Sequence, residues 1–131
     1  MKKIFSKLLL AAIILTFSFQ SNLFAEDDLI MSVGVGGVEC VAYSPDGNKI
    51  AVAGSQGCIN LYDIQTGGLL HTFSGHSGIA TSVAFSPDGS KLVSSGWDST
   101  IKLWEIDTGT LLRTFKGHTW YIYSISLSSD G

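Results

Sequence analysis

The chain of 131 residues has little of what most active sites are built from. Basic residues are few, eight Lys and Arg against eleven Asp and Glu, for a formal net charge of −3. Three of those lysines, Lys2, Lys3 and Lys7, crowd the amino terminus. A chain without clustered Lys and Arg is not built to hold a nucleic-acid backbone. Only two cysteines are present, Cys40 and Cys58, with no histidine at ligand spacing, so no zinc signature exists. No long apolar run is present: residues 8–19 form a largely apolar run of roughly 12 residues, short of the about 20 that span a bilayer. Past residue 25 no window has a helical period.

The first 25 residues have the three parts of an export signal. The lysines form a positive start, and residues 8–19 form the apolar centre, broken by Thr16 and Ser18. Polar Gln20, Ser21 and Asn22 follow, and Ala25 stands just before the acidic Glu26, Asp27 and Asp28. Cleavage is expected after Ala25, although Leu23 departs from the small residue usual two positions earlier. The alternative is an uncleaved anchor. No cysteine follows the apolar run, which argues against a lipoprotein. The expectation is an exported chain of bacterial style, periplasmic or secreted, with residues 26–131 as the mature part. That part keeps five basic residues against eleven acidic ones, a net charge of about −6.

What the mature part has is a repeat. The stretch "AYSPDGNKIAVAG" at 42–54 is answered by "AFSPDGSKLVSSG" at 84–96. "INLYDIQTGGLL" at 59–70 is answered by "IKLWEIDTGTLL" at 101–112, and "TFSGH" at 72–76 by "TFKGH" at 114–118. The offset is 42 residues throughout, without insertion. "SLSSDG" at 126–131 continues the series, with Ser129 in the proline position. A fixed period of this length signals a repeat architecture.

Each period reads as four short strands. Residues 83–85 are apolar, and Ser86-Pro87-Asp88-Gly89 supplies a turn. Proline presets φ for the second turn position, Asp suits the third, and Gly accepts the left-handed conformation that closes it. Residues 91–95 form the next strand, and Trp97-Asp98-Ser99 turns the chain. Residues 101–104 alternate as a third strand, Asp107-Thr108-Gly109 turns again, and residues 111–115 form the fourth. The class is all-β and antiparallel. Cys40 and Cys58 fall on the first and third strands of one unit, roughly 9 Å apart across the strand between, beyond disulfide reach.

This pattern resembles the WD40 repeat. The resemblance rests on Gly75-His76, Ser86-Pro87-Asp88-Gly89, residues 94–98 and Ile101-Lys102-Leu103-Trp104-Glu105, and covers essentially all of residues 26–131. It implies a β-propeller of four-stranded blades, of which the chain holds two. Blade one covers about 38–74, blade two about 80–116, and 121–131 begins a third. By the offset, residues 29–33 supply an outer strand before blade one, and residues 124–127 an inner strand after blade two. The chain reads as a partial propeller, incomplete at the point where its own repeat calls for more.

Ser94, His76 and Asp98 imitate a hydrolase triad, but no nucleophile elbow flanks Ser94. The resemblance implies instead that His76, Ser94, Asp98 and Trp104 form a structural hydrogen-bond network. The corresponding positions of blade one are Gly34, Val52, Gln56 and Tyr62, so the network is lost there as a whole. Blade one is expected to rest on apolar packing and turn chemistry alone, and to be the looser blade. His71, His76 and His118 lie too far apart in sequence to suggest a metal site, and "GVGG" at 34–37 lacks the lysine and helix of a phosphate loop. No cofactor is expected.

The resemblance also implies that the loops carrying Trp97, Trp120 and Tyr121 share one face. Exposed aromatics anchor many interfaces, so these three are the candidate partner-binding residues; the plainer alternative is that they cover blade edges. The expected function is a non-catalytic scaffold binding other proteins, with no nucleic acid and no membrane after cleavage. Self-association through open blade faces is a further expectation. The alternative is a piece of a larger exported protein whose enzyme or sensor domain lies elsewhere, or a truncated product without independent function.

Overall fold

The computed structural model describes residues 35–130. The export signal and the outer strand expected at 29–33 lie outside the described residues. Eight strands are present: β1 (Val38–Tyr43), β2 (Lys49–Gly54), β3 (Cys58–Asp63), β4 (Leu69–Ser74), β5 (Ala80–Phe85), β6 (Lys91–Gly96), β7 (Ile101–Glu105) and β8 (Leu111–Phe115). They form two antiparallel four-stranded sheets in the orders β1-β2-β3-β4 and β5-β6-β7-β8. Among the described residues there is no helix. The all-β reading and its two four-stranded units therefore hold.

Local chemistry explains the hairpins. At the first turn Gly47 takes a φ of 72° and its N–H donates to the Ser44 carbonyl at 2.9 Å. The Asp46 carboxylate accepts from the Ser44 hydroxyl and from the Asn48 N–H. These bonds, led by the Ser44 hydroxyl, pull the Asp46 pKa down to about 2. Ser86, Asp88, Gly89 and Ser90 repeat the arrangement, and Gly89 has a φ of 72°. Even irregularities recur: register breaks fall between Val38 and Cys40 and between Ala80 and Ser82, and again between Leu61 and Tyr62 and between Leu103 and Trp104.

Strand alternation gives each sheet two faces. Ala51, Ala53, Ile59, Leu61 and Phe73 of the first sheet face Val83, Leu92 and Trp104 of the second, and together they form the main core. Phe73 and Trp104 meet edge-tilted, with ring centroids 5.6 Å apart. The opposite face of the first sheet carries a second cluster of Val35, Ile50, Val52 and Tyr62. Cys40 packs against the first cluster and Cys58 against the second, so they sit on opposite faces and no disulfide joins them. The outer face of the second sheet presents Val93, Ile101, Leu103 and Phe115 to a hollow of about 750 Å³ that residues 125–127 only partly cover.

One expected strand is not realised. Residues 124–127 join no ladder. A strand needs a partner's backbone groups along its length, and among the described residues no strand pairs its backbone with this segment. It is held by single bonds instead: Ile122 N–H to the Gly96 carbonyl at 3.3 Å, Ile125 N–H to Ser82 Oγ at 3.3 Å, and the Thr81 hydroxyl to the Ile122 carbonyl.

Candidate functional site

The loop after β4, the turn after β6 and the segment after β8 converge at one end of the second sheet. The turn places Asp98 directly beneath His76. The His76 ring Nδ1 lies 3.0 Å from both Asp98 carboxylate oxygens. Its Nε2 lies 2.8 Å from Ser94 Oγ, and the Trp104 indole N–H donates to that same oxygen at 2.9 Å. Asp98 also accepts from the Ser77 N–H at 3.1 Å, the Thr100 N–H at 3.1 Å and the Thr100 hydroxyl at 2.8 Å.

This arrangement has a single consistent proton assignment. A neutral His76 with its proton on Nδ1 donates to Asp98 and accepts the Ser94 hydroxyl proton on Nε2, leaving Ser94 Oγ to accept from Trp104. Burial holds the imidazole below its usual pKa, against the opposing pull of Asp98, and Lys102 adds to the lowering. Burial raises the Asp98 carboxyl, but hydrogen bonds from His76 and Thr100, the attraction of His76 and the Ser77 N–H outweigh it and keep Asp98 ionised. Ser94 is fully buried with both its roles filled, so the trio offers no nucleophile to solvent. Its effect is to tie the loop to the sheet. Gly96 is part of the fit: a Cβ there would stand 2.7 Å from the Ile79 carbonyl and 2.9 Å from His76 Nδ1.

The first sheet solves the same problem with different groups. Val35 is wholly buried where the second sheet has Ser77, and its carbonyl accepts from the Gln56 N–H at 3.1 Å. The Gly37 N–H donates to Ser55 Oγ at 2.8 Å. On the sheet itself Asn60 Nδ2 donates to the Tyr62 hydroxyl at 3.0 Å, and the Thr72 hydroxyl donates to Asn60 Oδ1 at 2.8 Å. The expectation of apolar packing and turns alone is thus corrected: buried Asn60 and Tyr62 and exposed Thr72 form a polar chain. Sequence offset points to Tyr62 as the counterpart of Trp104, but only the register opposes Asn60 to Thr72.

The structure brings Trp97, Trp120 and Tyr121 together. Trp97 and Tyr121 stack, with centroids 4.8 Å apart and planes 12° from parallel. Trp120 and Tyr121 are tilted, at 5.6 Å. All three are exposed, Trp120 most of all at 71%. They flank the loop that His76 and Asp98 secure, so a rigid polar network supports an exposed aromatic platform.

Comparison with known families agrees with this geometry. The family described as WD domain, G-beta repeat matches residues 67–105 and 109–131. The family described as Anaphase-promoting complex subunit 4 WD40 domain matches residues 31–85. No curated protein matches the chain at a significant level.

Proposed function

Because the chain belongs to the WD40 repeat family, whose repeats generally serve as non-catalytic scaffolds for protein–protein contact, we propose that it is an exported, non-enzymatic binding platform. The platform is the face formed by Trp97, Tyr121 and Trp120. The observation that carries this reading is the Trp97–Tyr121 stack, two aromatic rings held parallel at 4.8 Å in solvent rather than in the core. A pre-ordered aromatic surface offers a partner a large contact area with little conformational entropy left to lose. The signal-like first 25 residues support export, to the periplasm or outside the cell.

The test is quantitative affinity capture with the exported chain and its W97A and W120A variants. A true platform loses its captured proteins in both variants, because a central aromatic anchor is worth about 2 kcal/mol or more. An unchanged set of captured proteins in both would sink the reading.

A specific observation supports a second element. Phe115 is 43% exposed, whereas Phe73, its counterpart one period earlier, is wholly buried against the neighbouring sheet. The face around Phe115 is therefore proposed to receive a further four-stranded blade, from a longer chain or a second copy. Light scattering checks this: a stable monomer of the mature chain, cooperatively folded and free of self-association, would contradict it.

A further inference from the structure

Beside the aromatic platform lies a polar cleft of about 530 Å³ where β7 begins and β8 ends. Its lining includes Ser77, Thr100, Lys102, Thr114, Lys116 and His118.

Lys102 is the unusual member. It is 7% exposed, although lysine is among the residues least often buried without a partner. Its Cδ and Cε run 3.8 Å from the position a Cβ on Gly75 would take, which confines the stem. The ammonium carries three N–H donors. One donates to Thr114 Oγ1 at 3.2 Å, and among the described residues no carboxylate comes within ion-pair distance of it. Asp98 lines the same cleft, but its oxygens are already engaged by His76, Ser77 and Thr100. In the first sheet the same position is Asn60, which bonds Thr72 and needs no counter-charge. A buried cation without one is costly.

The surroundings suit an anion. Lys116 and His118 stand exposed on the rim, and Thr114, accepting from Lys102, keeps its hydroxyl proton free to donate. Residues 26–131 hold five basic residues in all, and this one cleft takes two of them in an otherwise acidic chain.

We propose that the cleft binds an oxyanion, the phosphate or carboxylate of a partner's side chain, with Lys102 as its buried anchor and Thr114 and Lys116 as further donors. The cleft deepens the platform reading, since it gives the same face a chemical preference. The two fail separately, because small probes do not need Trp97 or Trp120.

The experiment is an NMR titration of the chain with inorganic phosphate, O-phosphoserine and N-acetylglutamate amide. Saturable shifts at the amides of Thr100, Lys102, Thr114 and Lys116 are expected with at least one probe. Preference for O-phosphoserine marks a phosphorylated partner, and preference for the glutamate amide an acidic one. K102M is expected to weaken binding about tenfold, as loss of a charged hydrogen bond does, K102R to restore much of it, and the surface change K116S to weaken it about threefold. No saturable shift with any probe, or affinity unchanged in K116S and K102M alike, would overturn the site.

Discussion

The two blades share turns, bulges and register, yet they secure their upper loops by different means. Blade two uses a charged carboxylate, a neutral imidazole, a buried hydroxyl and an indole in series, from Asp98 to Trp104. Blade one puts Val52 where Ser94 stands and fills the loop with Val35, leaving backbone bonds and the Ser55 hydroxyl to hold it, while the Asn60–Tyr62–Thr72 chain links its two outer strands. The same backbone therefore tolerates two solutions. The blade-two solution is cooperative, since each group fixes the proton of the next, and it supports the aromatic platform. The blade-one solution is distributed over separate contacts.

The widest contrast to exploit is between Phe73 and Phe115. Phe73→Ala empties a wholly buried site between the blades and is expected to cost about 3–5 kcal/mol in urea unfolding. Phe115→Ala removes a side chain that is 43% exposed with Arg113 lying 5.1 Å over its ring, and should cost about 1 kcal/mol or less. Equal costs would show that the outer face of blade two is already covered in solution.

Next in size is the network itself. Ser94→Ala strands the buried Trp104 N–H and His76 Nε2, and should lower stability by about 1–3 kcal/mol. Asn60→Ala in blade one should cost about 1 kcal/mol, because it breaks a chain of neutral bonds without stranding a charge.

The smallest effect separates the blades by pH. The pKa of His76 is lowered in the fold, so the unfolded chain binds the extra proton first as pH falls. The stability gained from a neutral His76 is complete above the ordinary histidine pKa, and is lost as pH falls from there through the depressed folded value. The protection factors, corrected for the slower intrinsic exchange at low pH, should therefore fall in β6 between pH 7 and pH 5 more than in β2, and His76→Gln should remove the difference.

Much of this was legible because the chemistry is local. Ser44-Pro45-Asp46-Gly47 and its repeat carry their own hydrogen bonds within six residues, so turn and spacing could be read together. The group of His76, Ser94, Asp98 and Trp104 was legible through its family pattern rather than through spacing. Asn60 and Thr72 were not, because they meet only through strand register, and a bulge between Leu61 and Tyr62 sets that register. Nor was the irregular course of residues 124–127, whose residue pattern suits a strand but which lack a neighbour to form a ladder with. The burial of Lys102 was not legible either, because the alternation of residues 101–104 does not show the close approach of Gly75 to its stem.

The central claim is that the cooperative network makes blade two the firmer of the two. Native-state hydrogen exchange of β2 (Lys49–Gly54) against β6 (Lys91–Gly96) tests it most directly. Slower exchange in β6, with the gap closing in Ser94→Ala, is the predicted result. Protection in β2 equal to or greater than that in β6 would contradict it.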